Sequence, residues 1–440
     1  MAVASVILAV SGTLIGGGFG VALIQKKDLT QVDTSSVFYL GIFTSFIMAG
    51  ALVLAAPWIA TFFAMPVLEP VTKVLSLTFI ISSLGGIHTC LLSKALKFGA
   101  LARISLSASV VSSLVAVVMA WKGFGIWSLV GQSLTAAAVT SVVAWFCSDW
   151  RPAPVFSLAA LKPLFRFGVF IVAADLLETV FGRIYTLLIG KFYTASDLGF
   201  YSRADSTLAL PNNFTSGIIN QVAMPLFSAA NHDPELLHRA FRKAMRVTFY
   251  VHAPIIAGIV VAAEPLVLTL FGAKWAPAIP YLQILAFTGL CWLPVTVNYG
   301  YLKATGRSKA YFHIELAKKI VFLIIAIVTV RISITAMVVG SAIFGLGAYL
   351  FTARVAGATV DYAGAKQILD SWKPLFAAGC MLPVVGAFLL LPNTSPALIL
   401  IMQVAMGAAF YLVLCRVLKC HEQSEFFLHA KRVIAKMTTR

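Results

Sequence analysis

VFYLGIFTSFIMAGALVLAAPWIATFF, residues 37–63, runs for 27 positions without one charged side chain. As an α-helix rising ~1.5 Å per residue, it crosses the ~30 Å hydrocarbon core of a bilayer with length to spare. Twelve other apolar segments of span length follow the same pattern, at approximately 2–23, 73–94, 102–121, 124–147, 163–190, 206–229, 245–271, 279–302, 309–330, 332–356, 372–391 and 396–418. The composition agrees. Hydrophobic residues make up 60% of the 440 and charged residues 11%, against roughly 25% charged in soluble domains. So few charges cannot clothe a water-facing surface, and the chain reads as an all-α polytopic membrane protein.

The formal net charge of +17 does not make a nucleic-acid partner. Its Lys and Arg residues are spread over short loops between apolar runs, where they act as orientation signals and contacts to anionic head groups. Twenty-four of the 33 fall in one alternating set of loops and six in the other, with Arg183, Lys318 and Lys319 inside spans. Positive loops stay in the cytoplasm, which predicts a cytoplasmic C-terminus. The six cysteines form no CxxC or other metal-ligand spacing, so no metal and no cofactor is expected. The short connections leave no room for a soluble catalytic head, which argues against an enzyme.

Thirteen spans with the C-terminus inside would put Met1 outside. The first run has neither a positive n-region nor an A-x-A-like cleavage site, so it is no signal peptide. A missing upstream helix explains the odd number of spans more simply.

An internal repeat organises the spans. Ala55-Ala56-Pro57-Trp58-Ile59-Ala60-Thr61-Phe62-Phe63 resembles the stretch Ala262–Phe271, Leu77-Thr78-Phe79 resembles Leu285-Ala286-Phe287, and Lys94 falls near Lys303. The offset stays at about 207 to 210 residues, six spans, so the copies share one orientation. Parallel repeats of this kind build transporters whose halves rock about a central site. Three regions are expected: an N-terminal lobe over 1–150 lacking its first helix, a C-terminal lobe over 151–360, and two added helices with a basic tail over 361–440.

Ionisable groups inside spans are costly and mark functional candidates. In 163–190, Asp175, Glu178 and Arg183 share one broad helical face. They read either as a hydrated lumen with Arg183 for an anionic substrate and a carboxylate for a coupling ion, or as a self-neutralised packing cluster. In 309–330, Glu315 can pair with Lys319 at i,i+4. Lys318 and Lys319 lie ~13–15 Å from the cytoplasmic end, too deep to snorkel easily. Two adjacent cations there need an anion or water, and they suit a phosphate-bearing substrate. In 206–229, Asn213, Gly217, Asn220 and Gln221 fall on one face, where amides either meet sugar hydroxyls or glue helices together. Asn298 is a further candidate of that type. Gly16-Gly17-Gly18-Phe19-Gly20 is no phosphate loop, since no strand precedes it and no GK[ST] follows. His88 and His252, lone in apolar runs, are expected to be satisfied within the bundle.

The stretch Ile189-Gly190-Lys191-Phe192-Tyr193-Thr194-Ala195-Ser196-Asp197-Leu198-Gly199-Phe200-Tyr201-Ser202-Arg203-Ala204-Asp205 resembles the Wzx-type polysaccharide flippases of the multidrug/oligosaccharidyl-lipid/polysaccharide exporter superfamily, in particular the WzxC-like branch. Gly20–Lys27, Gly272-Ala273-Lys274-Trp275-Ala276-Pro277 and Glu315-Leu316-Ala317-Lys318-Lys319 support it. The resemblance implies two pseudo-symmetric six-helix lobes plus two C-terminal helices, fourteen spans in all, of which thirteen are visible here. It implies that an undecaprenyl-diphosphate-linked oligosaccharide repeat unit is moved across the bacterial inner membrane by alternating access, for exopolysaccharide, capsule or O-antigen synthesis. Expected partners are the lipid-linked oligosaccharide, the bilayer, and polysaccharide polymerase and export machinery. By position, Arg183, Lys318 and Lys319 fit the family's cationic lumen. Asp175, Glu178 and Glu315 are candidates for coupling to a proton or sodium gradient. The family's first helix is absent from this sequence, in keeping with the charge parity. Two alternatives stand beside this reading: a cation-coupled multidrug antiporter of the same superfamily, and a membrane-embedded glycan polymerase or ligase.

Overall fold

The computed structural model describes Leu23 and residues 29–95, 97–159, 161–162, 178–230, 233–305, 308–358, 362–391, 394–420 and 422–423. Among these, every regular element is a helix. Among the described residues, nine helical stretches are long and apolar enough to cross a membrane. The expected span at 2–23, apart from Leu23, and the part of 163–190 that holds Asp175 lie outside the described residues.

The chain divides into two compact units, Met1–Tyr193 and Thr194–Arg440. In the first, α1 (Gln31–Phe62) is followed by α2 (Leu68–Leu75), α3 (Leu77–Lys94), α4 (Phe98–Trp121), α5 (Ile126–Cys147) and the short α6 (Ile184–Phe192). Helix α1 starts where the sequence supplies a reciprocal cap. The Asp33 N–H donates to Thr30 Oγ1 at 3.2 Å and the Thr30 N–H donates to Asp33 Oδ2 at 3.0 Å, which satisfies two end groups that the helix cannot. Helices α4 and α5 pair along their length, and α3 packs on α5. Gly85 makes that second approach possible, because a Cβ there would stand 2.6 Å from Ser141 Cα. Ser141 Oγ then donates to Ile81 O at 2.6 Å.

The second unit comprises α7 (Ala195–Ala230), α8 (Pro234–Phe271), a 3-10 turn (Ala273–Ala278), α9 (Ile279–Ala304), α10 (Ser308–Thr329), α11 (Ile334–Gly357), α12 (Gly364–Asp370), α13 (Trp372–Gly386) and α14 (Pro396–Val417). Asp233 and Ser395 cap α8 and α14 through their side chains, each with Pro at the first helical turn, where its missing N–H costs nothing. Helix α9 is the hub, touching α7, α8 and α11, while α13 and α14 pack on α8. The core beside α8 and α9 is aromatic: Phe241 stacks on Tyr301 at 4.6 Å between centroids, and Phe227 meets both edge-on.

Large apolar side chains face outward on many helices; Trp58, Trp121 and Phe146 keep 75%, 89% and 84% of their surface exposed. Burying such surface in lipid gains ~25 cal/mol per Å², so the outer shell is built for a bilayer. The protein is an integral membrane protein. Two long helices stand apart from the nine apolar stretches, α7 and α10. They carry most of the polar candidates read from the sequence.

Candidate functional site

Helix α10 presents Glu315, Lys318 and Lys319 to one side, because residues three and four apart share a helical face. Lys318 Nζ donates to Glu315 Oε1 at 3.1 Å, and Lys319 Nζ lies 3.9 Å from Glu315 Oε2. The i,i+4 pair read from the sequence is therefore present, but the i,i+3 partner holds the carboxylate more closely. Helix α9 contributes Tyr299, whose hydroxyl accepts from Lys318 Nζ at 2.5 Å and hydrogen-bonds Glu315. The same ammonium lies 4.7 Å from the Tyr299 ring centroid, and Tyr311 packs edge-on against that ring at 4.9 Å. The three charged side chains expose only 15%, 19% and 16% of their surface for Lys318, Lys319 and Glu315. Two cations and one carboxylate leave a formal excess of one positive charge. A poorly hydrated, net cationic cluster beside two tyrosine rings is equipped to hold a phosphate oxygen, with Lys as point charge.

The other candidates stand in different surroundings. Arg183 precedes α6, is exposed, and its carbonyl accepts the Leu187 N–H at 3.0 Å. Glu178 is exposed in the same unit, and Asp175 lies outside the described residues. On α7, Asn213 is exposed, whereas Asn220 and Gln221 belong to the helix but their side chains lie outside what is described. Asn298 is fully buried. Its Nδ2 donates to Pro294 O at 2.9 Å and to Gln367 Oε1 at 3.4 Å, and Gln367 Nε2 donates back to Asn298 Oδ1 at 3.2 Å. Tyr349 donates to the same Gln367 oxygen at 3.2 Å. Asn298 thus anchors α12 to α9 and α11 and offers nothing to a solute.

The two histidines divide. His252 bonds Gly289 O at 3.0 Å. His88, fully buried, has no hydrogen-bond partner among the described residues on either ring nitrogen. It is held by rings instead, 4.6 Å from Trp145 and 5.3 Å from Trp150. The expectation that both are satisfied fails for His88, because aromatic faces surround it where polar groups would be needed. The sequence reading missed Tyr299. The available signal was its place directly after Asn298 on a charge-free span, one of few groups able to meet a buried ammonium.

A family model described as polysaccharide biosynthesis protein matches residues 1–280. Teichuronic acid biosynthesis protein TuaB of Bacillus subtilis (strain 168) is 28% identical over 298 residues, 67% of this chain and 62% of TuaB. Succinoglycan biosynthesis transport protein ExoT of Rhizobium meliloti (strain 1021) is 28% identical over 312 residues, 71% of this chain and 63% of ExoT. Lipopolysaccharide biosynthesis protein WzxC of Escherichia coli (strain K12) is 28% identical over 293 residues, 66% and 59% of the two chains. The chain spans about six-tenths of the length of these curated relatives. Among solved structures, the lipid II flippase MurJ, in an inward closed conformation, superposes with a TM-score of 0.75 at 13% identity, covering 93% of this chain and 89% of MurJ. An inward-facing multidrug resistance MATE family transporter of the MOP superfamily reaches 0.64 at 16% identity, covering 82% and 89%. At such identities the likeness is one of fold, and the fold is that of these transporters.

Proposed function

The chain belongs to the polysaccharide biosynthesis protein family, and from that premise we propose that it moves a lipid-linked oligosaccharide unit across the bacterial inner membrane by alternating access. The observation that carries this reading is the cluster of Lys318, Lys319, Glu315 and Tyr299. Two adjacent lysines sharing one carboxylate in a poorly exposed site suit a diphosphate-bearing lipid, and the apolar shell gives its tail a solvent. The names of ExoT as a transport protein and of MurJ as a lipid II flippase support the same class of cargo. Membrane polymerase and export proteins would act on the unit after it is moved. On this reading the chain is a transporter and not an enzyme, its C-terminus is cytoplasmic, and a proton or sodium gradient supplies the work.

The multidrug antiporter reading is weaker. A carboxylate that binds cationic drugs has to be open to them, and Glu315 is already held by two lysines and a tyrosine. The glycan polymerase or ligase reading needs a large loop, and outside residues 148–183 the described helices are joined by only a few residues each.

Lys319→Gln tests the site. It removes one of the two cations and leaves the Lys318–Glu315–Tyr299 contacts in place. In a deletion strain complemented with this variant, lipid-linked oligosaccharide should accumulate on the cytoplasmic side while the protein reaches its normal membrane level. Full export by Lys319→Gln would remove the cluster from the substrate path.

A further inference from the structure

Helix α8 runs for 38 residues with two prolines inside it, Pro254 and Pro265. Proline has no N–H, and its ring crowds the carbonyl four residues before it. The first of these breaks falls on the Tyr250 carbonyl, which loses the donor that any other residue at 254 would supply. Within a bilayer such a group has to be satisfied by the protein itself. Helix α14 supplies the donor: the Tyr411 hydroxyl donates to Tyr250 O at 2.7 Å. Both tyrosines are buried, and their rings lie 5.7 Å apart.

The two sides of Pro254 are tied to different parts of the chain. Four and eight residues before Tyr250, Arg246 pairs with Glu422 and Arg242 donates to Asp370. Beyond Pro254 the helix is braced from α9, where Gln283 Nε2 donates to Val260 O at 3.1 Å. Around the break the side chains are small. Ala253 and Ala257 of α8 pack in one cluster with Ala377 and Ala378 of α13, and such contacts interlock little.

We infer that Pro254 is a hinge in α8 and that Tyr411 is the latch that holds it in this conformation. Had the donor come from α8 itself, the break would be indifferent to its neighbours. Because it comes from α14, a bend of α8 at Pro254 and a shift of α14 are one event. Opening the latch costs one hydrogen bond between neutral groups, a small part of what holds the helix in place. Use of the bend to open one side of the membrane rests on the transport reading. The hinge and its latch do not.

The test is the distance between spin-labelled residues put at Leu236 and Leu270, both exposed on α8, in the full chain in lipid bilayers. The two positions are ~50 Å apart along a straight helix. The parent chain should give one narrow distribution. Tyr411→Phe keeps the ring and removes only the donor, and it should add a second distance. Pro254→Ala supplies the missing N–H, so Tyr411→Phe on that background should leave a single distribution. Amide exchange over 247–262 reads the latch separately: Tyr411→Phe should speed it about fivefold, and should leave it unchanged beside Pro254→Ala. A distribution in Tyr411→Phe identical to that of the parent would overturn the hinge and reduce the bond to a filled carbonyl. Equal effects of Tyr411→Phe on exchange with and without Pro254 would overturn the latch. No substrate enters these measurements, so their failure is separate from a failure of the flippase reading, which accumulation of lipid-linked sugar reports.

Discussion

Lys318 and Lys319 are neighbours in sequence but do different work around Glu315. Lys318 is bonded to both the carboxylate and the Tyr299 hydroxyl, while Lys319 stands at ion-pair distance. Removing the carboxylate should therefore be worse for the fold than removing either lysine. Glu315→Gln leaves two poorly hydrated cations without their anion, and breaking a buried pair from one side costs ~3–5 kcal/mol. The partial exposure of these groups places the expected loss toward the low end. It is read as a lower melting midpoint and a lower membrane yield in detergent. Asn298→Leu is the matching control. It removes both bonds between Asn298 and Gln367, leaving Gln367 those to Tyr349 and the Tyr362 carbonyl, with a loss of ~1–3 kcal/mol, and should lower thermal stability without changing which lipid-linked sugar accumulates in vivo. The sequence marked Asn298 and Lys318 alike as polar groups at membrane depth. Only their neighbours separate them: Asn298 faces Gln367 from α12, whereas Lys318 faces a tyrosine and one shared carboxylate.

At the scale of elements, the phenylalanine ends of α1 and α8 each meet a cation. Helix α1 ends at Phe62, and Lys191 Nζ lies 4.1 Å from that ring centroid while donating to the Phe62 carbonyl at 2.5 Å. Helix α8 ends at Phe271, and the Arg203 guanidinium lies 4.7 Å from it and 4.9 Å from Trp275. Both cations come from the 189–205 stretch that carries the family resemblance, and the two compact units meet in sequence inside it. Cation–π contacts are worth ~0.5–2 kcal/mol each. Arg203→Gln should thus lower the melting midpoint modestly, and Arg203→Lys should restore part of the loss. The opposite end of α8 is tied differently. Arg242 donates to both oxygens of Asp370 on α12, and Arg246 pairs with the buried Glu422. Burial alone would raise the Asp370 carboxyl, but the Arg242 hydrogen bond and charge outweigh it and hold the group below its ordinary range. A depressed carboxylate stabilises the fold above its unfolded value of ~3.9, and that contribution is lost as pH falls through the folded value. Melting followed from neutral to acid pH should show this component, and Asp370→Asn should remove it. Charge position hinted at none of these ties, because the partners are 128 and 176 residues apart in sequence.

For the whole molecule, deletion of the gene should cause lipid-linked repeat units to build up and surface polysaccharide to disappear; export with no such accumulation would refute the flippase reading. The sequence by itself determined that this is a helical membrane protein, since no arrangement in water can hide an apolar content of 60% behind 11% charged residues. Run length and charge were enough to place the nine apolar stretches that the described residues contain, because a span must satisfy its own backbone in lipid whatever its neighbours are. The 189–205 stretch was enough to point to the family. Tertiary structure alone decided what the buried polar groups do. Periodicity puts Glu315, Lys318 and Lys319 on one face, but it cannot say that Tyr299 meets them or that Asn298 is spent on Gln367. Nor can it say that His88 is walled by indoles while His252 bonds the Gly289 carbonyl. Span formation is a local property of one helix and its solvent. The fate of a polar atom inside the bundle depends on which other helix comes within ~3 Å of it, and that is fixed only when the helices pack.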